Sequence, residues 1–163
     1  MRDRNALQWL TLSFIVIALD QLTKAIVIHL LEPQVPHAVI PGLLNWTLAY
    51  NTGAAFSFLA DQEGWQRWLF GVLAVGVSAM LTRWLAQTAR ADWRTALPLA
   101  LVIGGALGNL IDRIRIGHVT DFIQVYYHEW AFPSFNVADS AISVGAVLLL
   151  WFSFVVKSAS ASR

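Results

Sequence analysis

The sequence predicts a mostly α-helical, polytopic membrane protein with four transmembrane helices and a small β element outside the bilayer. Of the 163 residues, 57% are hydrophobic and only 13% are charged, whereas about a quarter of residues are charged in an average soluble domain. The charge deficit is concentrated in four apolar stretches, each close to the roughly 17–25 residues that a helix needs to cross a bilayer. We therefore expect one integral membrane domain over residues 1–163.

The four predicted spans are about 9–31, 65–86, 95–111 and 137–156. No small-residue cleavage site follows the first apolar stretch, so we expect a retained helix rather than a signal peptide. Four crossings place both termini on one side of the membrane. Seven Lys and Arg residues lie on that side, and the other side holds Arg67, Arg113 and Arg115. The positive-inside rule then places both termini in the cytoplasm.

The two connections that face outward carry β signals. In the longer one, about 32–64, the apolar residues Leu44, Trp46, Leu48 and Tyr50 alternate with small or polar residues. A period of two predicts a half-buried strand, so we expect a small outward-facing sheet within this connection. The shorter one, 112–136, contains GHVTDFIQVYY, which is a glycine turn followed by β-branched and aromatic residues.

Composition excludes several classes of function. The chain has no cysteine, which excludes disulfides, a cysteine nucleophile and cysteine-ligated metals. The four histidines do not have metal-ligand spacing, and we expect no metal site. A net charge of +1 provides no basic footprint for nucleic acid.

The predicted topology brings the polar residues into one outer layer. The third span runs outward and the fourth runs inward, so the end of the third and the start of the fourth meet at the same surface. The connection between them contributes a further acid, and the first span contributes an ion pair in its middle to outer half. These residues are Asp20, Lys24, Asn109, Asp112, Asp121, Asn136 and Asp139.

Each of these acids also has a purely structural interpretation. Asn136 followed three residues later by Asp139 suits a helix N-cap with an acidic third position. Asp121 could be an ordinary loop acid. Asp20 and Lys24 are four residues apart on one helix face and can neutralise each other, although a pair this deep in an apolar segment is by default a functional hypothesis.

The residues at the end of the third span also have a purely structural interpretation. Asp112 and Arg113 could be interfacial residues that end the helix. Gly104, Gly105 and Gly108 suit close helix packing better than phosphate binding, because small residues at such spacing are common between membrane helices.

Two neighbouring carboxylates can perform hydrolysis. They cannot both ionise freely, so the pair holds one proton between them. The ionised member can take a proton from water while the protonated member hydrogen-bonds the scissile carbonyl. GxSxG is absent, so a pair of aspartates is the strongest option if the protein is a hydrolase. The alternative is a small proton-coupled transporter with Asp20, Lys24 and Asp139 as its relay, although the chain shows no internal symmetry.

Five segments, in order, resemble the motifs of lipoprotein signal peptidase (signal peptidase II), a family of bacterial membrane aspartic endopeptidases. The segments are DQLTK from Asp20, AYNTGAAFSF from Ala49, GGALGNLIDR from Gly104, VTDFI from Val119 and FNVADSAISVG from Phe135. At Thr120 the family frequently has an aliphatic residue. The resemblance implies a four-helix fold with an outward-facing β-cradle and a short periplasmic amphipathic helix.

The resemblance also implies the chemistry. Its catalytic pair would be Asp121 and Asp139, without metal or organic cofactor, cutting a prolipoprotein just before a diacylglyceryl-modified cysteine. It further implies a protein of the bacterial inner membrane with its site toward the periplasm, contact with membrane phospholipid, and inhibition by globomycin at the pair. We expect a monomer. The supporting residues would be Asp20, Lys24, Asn51, Gly108, Asn109, Arg113 and Asn136.

Overall fold

The computed structural model describes residues 5–53 and 65–161. Four long helices dominate it: α1 (Leu10–Leu30), α2 (Trp65–Gln87), α3 (Trp93–Ile116) and α4 (Val137–Ala161), with a 3-10 turn at Ala6–Trp9 before α1. Each helix is long and apolar enough to cross a membrane. The prediction of four transmembrane helices is confirmed by their length and composition.

Helix α3 extends beyond the predicted span at both ends. At its start, the Asp92 carboxylate accepts a hydrogen bond from the Thr95 backbone N–H at 3.3 Å, which caps the helix. At its end, Gly117 adopts a left-handed φ of 82°, a common terminating conformation. The polar residues after 111 therefore continue the helix instead of following it, because helical geometry persists beyond the apolar stretch until the cap.

Four antiparallel strands form one sheet in the order β1 (His37–Ile40), β2 (Leu44–Asn51), β3 (Val119–Tyr127) and β4 (Trp130–Ala131). The predicted strand is β2. The sheet is not confined to the connection 32–64, because β3 and β4 come from the connection between α3 and α4. Asp121 consequently lies in a strand, opposite Ala49 of β2, and not in a loop.

Strand β2 does not bury its apolar face as simple alternation suggests. Trp46 and Tyr50 are exposed, whereas Asn45 and Thr47 are buried and both donate to the side-chain oxygen of Gln124 at 3.3 Å. The pairing register of β2 with β3 shifts after Trp46. A shifted register changes which side chains face the interior, so the period of two predicted the strand but not its buried face.

A small apolar cluster joins the sheet to the helices. Val27 of α1, Leu48 of β2 and Phe122 of β3 are buried together, with Leu31 and Val137 packed against them. The sheet therefore lies across the ends of α1 and α4. Strand β3 starts three residues after α3 ends, so the whole sheet is at one end of the bundle.

The short periplasmic amphipathic helix implied by the resemblance is not found in the described parts of the two connections, 31–53 and 117–136. Residues 54–64, which include the second half of the AYNTGAAFSF segment, lie outside the described residues.

The glycines of α3 allow its neighbours to approach closely, as the sequence predicts. A Cβ on Gly104 would lie 2.8 Å from the backbone oxygen of Ser13 in α1. A Cβ on Gly105 would clash with the backbone oxygen of Ala138 in α4. Helix α3 is thus packed between α1 and α4 at a separation that a larger side chain would increase.

We expect Gly105→Ala to lower the stability of the protein by about 1–3 kcal/mol, because the added methyl group forces α3 and α4 apart. Thermal unfolding in detergent measures the effect. Gly76→Ala in α2 is the matched control, since apart from its chain neighbours and the nearby backbone of its own helix no described atom lies within 4 Å of a Cβ at Gly76. It should leave stability unchanged or raise it by up to about 1 kcal/mol through helix propensity. Equal unfolding temperatures for the two variants would contradict the packing argument.

Candidate active site

A buried lysine joins α1 to α3. The Lys24 ammonium lies 2.8 Å from Asp20 Oδ2 and 2.9 Å from Asp112 Oδ2, and it donates to Asn109 Oδ1 at 2.9 Å. All four residues are buried, with Lys24 only 2% exposed. The predicted pairing of Asp20 with Lys24 is confirmed, and a second acid shares the same cation.

Asp20 extends this cluster to α4. Its Oδ1 accepts a hydrogen bond from the backbone N–H of Ala138 at 3.0 Å, in the first turn of α4. A Cβ on Gly108 would lie 2.8 Å from Asp20 Oδ2, so the glycine makes room for the carboxylate. The backbone oxygen of Gly108 accepts from the amide of Gln21 at 3.2 Å.

Asp112 belongs to the outer polar layer that the sequence analysis described, but its role in the network was not predicted. Besides pairing with Lys24, its Oδ1 accepts from the Gln21 amide at 2.9 Å and its Oδ2 from the Thr120 backbone N–H at 3.1 Å. It therefore ties the start of β3 to α1 and α3. The available signal was its position three residues after Asn109, on the same helix face. The Thr120 hydroxyl is buried and has no hydrogen-bond partner within the part of the chain that is described.

Two asparagines connect the Lys24 cluster to the predicted catalytic pair. Asn109 donates from its amide to Asp139 Oδ1 at 2.7 Å, while its oxygen accepts from both Lys24 and the Asn136 amide, the latter at 3.2 Å. Asn136 also donates to Asp121 Oδ1 at 2.7 Å. Each carboxylate of the pair is thus held by a neutral side-chain donor.

Asn136 and Asp139 form the predicted cap of α4. The Asn136 side-chain oxygen accepts from the Asp139 backbone N–H at 2.9 Å, and Asp139 Oδ2 accepts from the Asn136 backbone N–H at 3.3 Å. This reciprocal arrangement satisfies two backbone donors at the helix start and fixes the half-buried Asp139 carboxylate near the positive end of the helix. The capping interpretation and participation in a site are therefore compatible.

Asp121 is the most enclosed member of the pair, with 2% of its surface exposed. Its Oδ2 accepts from the Asn51 amide at 3.1 Å, and the Asn51 oxygen accepts from the backbone N–H of Gly53 at 2.8 Å. Burial, followed by the negative charge of Asp139, raises the pKa of Asp121 to about 7, although the hydrogen bonds from Asn51 and Asn136 oppose the shift. Asp121 can therefore carry a proton near neutral pH.

Arg113 lies beside the pair without forming a close ion pair with either carboxylate. It donates to the backbone oxygen of Asn109 at 3.4 Å, and its guanidinium carbon is 5.2 Å from the ring centroid of Phe70 in α2. Its charge acts on both Asp121 and Asp139. The half-buried guanidinium thus adds positive potential next to two acids.

All the residues that the sequence analysis assigned to a site lie at the sheet end of the bundle, most of them in one hydrogen-bonded network. Arg113 and Gly108 contact this network at its edge. The structure adds Gln21 and the backbone of Thr120, and it connects Asp112 to the network through both of them. Within the described ranges, no group of three His, Asp or Glu residues is placed to hold a metal ion. Chemically, the arrangement offers one acid that can be protonated and one carboxylate in the first turn of a helix.

The sequence is similar over most of its length to known proteins of one family. Residues 12–155 match the family model described as signal peptidase (SPase) II. A lipoprotein signal peptidase of Xylella fastidiosa (strain M12) is 59% identical over 143 residues, which cover 88% of this chain and 86% of the relative. One from Xanthomonas campestris pv. campestris (strain 8004) is 58% identical over 148 residues, covering 91% and 89%.

Solved structures are similar in fold. A bacterial membrane enzyme determined by the in meso method at 1.9 Å superposes with a TM-score of 0.80 at 28% identity, covering 92% of this chain and 95% of that one. A second such structure, at 2.3 Å, has a TM-score of 0.81 at 28% identity and covers 100% and 97%. The family model matches most of the chain, and these relatives align over nearly its whole length, so the protein belongs to the signal peptidase II family.

Proposed function

We propose that this protein removes the signal peptide from diacylglyceryl-modified prolipoproteins, cutting before the lipidated cysteine, with Asp121 and Asp139 as its catalytic pair. The observation that carries the proposal is the position of Asn136, whose amide binds Asp121 and whose backbone N–H binds Asp139. One residue thereby positions two acids from different elements. Family membership and the names of the relatives support the same activity, and nothing in them supports the transporter alternative.

The pair would act by general acid–base catalysis. Asp121, with its raised pKa, holds the shared proton and donates a hydrogen bond to the scissile carbonyl oxygen. Asp139 is the ionised member and takes a proton from water as the water oxygen attacks the carbonyl carbon. The tetrahedral intermediate collapses when the carbon–nitrogen bond breaks, and the proton held by Asp139 passes to the leaving amine. Both carboxyl groups return to their starting states.

Apart from Arg113, the remaining site residues would serve as positioning residues. Asn109 orients Asp139, and Asn51 orients Asp121, each through a hydrogen bond from a neutral side-chain amide. Arg113 would stabilise the negative charge that develops on the carbonyl oxygen. The others hold the network in place through the contacts described above: Asp20, Lys24, Gly108 and Asn136.

The lipid on the substrate suits a site at the end of a transmembrane helix. Asp139 lies in the first turn of α4, at the level where a bilayer-anchored cysteine would sit. The diacylglyceryl group can therefore provide binding energy, remote from the reacting bond, that orients the scissile peptide. We expect globomycin to bind at the same two carboxyl groups. Bound globomycin should then protect the protein from inactivation by reagents that modify carboxyl groups. Native mass spectrometry should show a monomer.

Substitution of either acid tests the catalytic pair. Asp121→Asn and Asp139→Asn should each lower the rate of cleavage of a diacylglyceryl-modified prolipoprotein by about 100-fold to 10,000-fold, the range for loss of a general acid or base. The rate is measured by the mobility shift of the processed substrate in detergent micelles. Both variants should remain folded, because asparagine preserves the shape of the side chain.

Asp92→Asn provides the matched control. Asp92 caps α3 at the opposite end of the helix, and asparagine caps helices as well as aspartate does. The control should retain full activity. Wild-type rates in Asp121→Asn or Asp139→Asn would exclude that residue from the pair.

The pH dependence of cleavage should be bell-shaped. Because the pKa of Asp121 is about 7, the pair loses its shared proton as the pH rises through about 7, and the rate should fall on that side. In acid the pair takes up a second proton, no base remains to activate water, and the rate should fall again. These limbs report the coupled pair rather than one residue. The range from roughly pH 5 to pH 9 brackets the pKa of Asp121. A flat profile over this range would contradict a shared proton if the chemical step limits the rate.

We further propose that both termini are cytoplasmic and that the site faces the periplasm across the bacterial inner membrane. The excess of Lys and Arg on the terminal side supports this orientation. Since the chain has no cysteine, Arg90→Cys and Glu129→Cys each create a single labelling site at an exposed residue. A membrane-impermeant maleimide should label Glu129→Cys in intact spheroplasts and Arg90→Cys only after lysis. The reverse pattern would invert the topology.

A further inference from the structure

A cleft of about 190 Å³ lies between the sheet-proximal ends of α1 and α3. Among the described residues that line it, neither Asp121 nor Asp139 is present, so it is separate from the proposed catalytic pair. Polar and apolar side chains share its walls: Gln21, Lys24, Ile28, His29, Arg115 and Ile116.

The rim of this cleft carries a cation that forms no ion pair with a carboxylate of the described residues. Arg115 is exposed, and its hydrogen bond within the described residues is a long one, 3.5 Å, to the side-chain oxygen of Gln21. The nearby acid, Asp112, is already satisfied by Lys24, Gln21 and a backbone N–H. The guanidinium is therefore available to an anion from outside the protein.

The position of Arg115 near the end of α3 indicates which kind of anion could reach it. Helix α3 has 24 residues and is thus roughly 36 Å long at about 1.5 Å per residue, slightly more than the roughly 30 Å hydrocarbon core. Arg115 is the penultimate residue of α3, and His29 is the penultimate residue of α1. In a bilayer that α1 and α3 cross, both side chains would therefore lie near the boundary with the lipid head groups, next to the exposed apolar residues Ile28 and Ile116.

We propose that this cleft binds the head-group phosphate of a membrane phospholipid, with Arg115 and His29 as hydrogen-bond donors and Ile28 and Ile116 against the glycerol and upper acyl chain. The planar guanidinium suits a phosphate oxygen pair. Thr120 also lines the cleft, and its buried hydroxyl lacks a partner among the described residues. Because Lys24 forms part of the wall, a bound lipid would pack against the cluster that positions the site.

The full-length protein, purified in detergent and stripped of lipid, provides the test. Phosphatidylglycerol should raise its thermal unfolding temperature in a saturable manner and should remain bound in native mass spectrometry. Diacylglycerol with the same acyl chains, and inorganic phosphate at the same concentration, should not. These two probes separate the lipid phosphate from the acyl chains and from a free anion.

Substitutions locate the effect. Arg115→Gln should weaken phosphatidylglycerol binding by about tenfold or more, the effect of losing a charged hydrogen bond, and Arg115→Lys should retain part of it. Arg83→Gln, an exposed arginine of α2 outside the cleft, is the matched control and should bind like the wild type. Unchanged binding in Arg115→Gln would overturn the proposal, as would equal stabilisation by diacylglycerol or by inorganic phosphate alone. Neither outcome depends on proteolytic activity, so failure here leaves the proposed catalytic function intact.

Discussion

The sheet end of this bundle depends on one buried ammonium group. Lys24 lies within 2.9 Å of acceptors on Asp20, Asp112 and Asn109, so a single cation serves two carboxylates and an amide. A carboxylate buried in an apolar environment without such a partner is very costly, and removing one member of a buried ion pair typically costs about 3–5 kcal/mol. The charge balance therefore constrains how α1 and α3 can be placed relative to each other.

The geometry of the proposed catalytic pair follows from that constraint. From Lys24, one path leads through Asn109 to Asp139, and another continues through Asn136 to Asp121. Each step is a hydrogen bond between buried or half-buried groups with few alternative partners. The two carboxylates come from a strand and from a helix start, and Asn136 contacts both of them. A change at Lys24 would consequently be transmitted to the pair through position rather than through direct contact with substrate.

Local patterns in the sequence predict a large part of the fold and of the candidate site. The spans follow from apolar length, the convergence of polar residues follows from counting crossings, and the Asn136–Asp139 cap depends on residues three apart. The role of Asp112 could not be predicted in this way, because it depends on the rotation of α3 against α1. The strand that contains Asp121 pairs with a segment about 70 residues earlier, and the exposed side chain of Trp46 results from a register shift within that pairing. Each of these features is decided by tertiary contacts that leave no local periodicity.

Two sets of buried or half-buried acids lie at this end of the bundle, and they differ in their partners. Among the described residues, Asp20 and Asp112 pair with a cation, whereas Asp121 and Asp139 do not. In the described part of the chain, the close ion pairs belong to Lys24, whereas Asp121 and Asp139 are held by neutral amides and backbone N–H groups. An amide donor positions a carboxylate without cancelling its charge, so burial and mutual repulsion still raise the pKa of Asp121 to about 7. A cation in the place of these amides would favour ionisation of both acids. Arg113 influences the pair without a close contact, which leaves the proton on Asp121 available at neutral pH. In the proposed mechanism, these neutral donors are what allows the two carboxyl groups to share one proton.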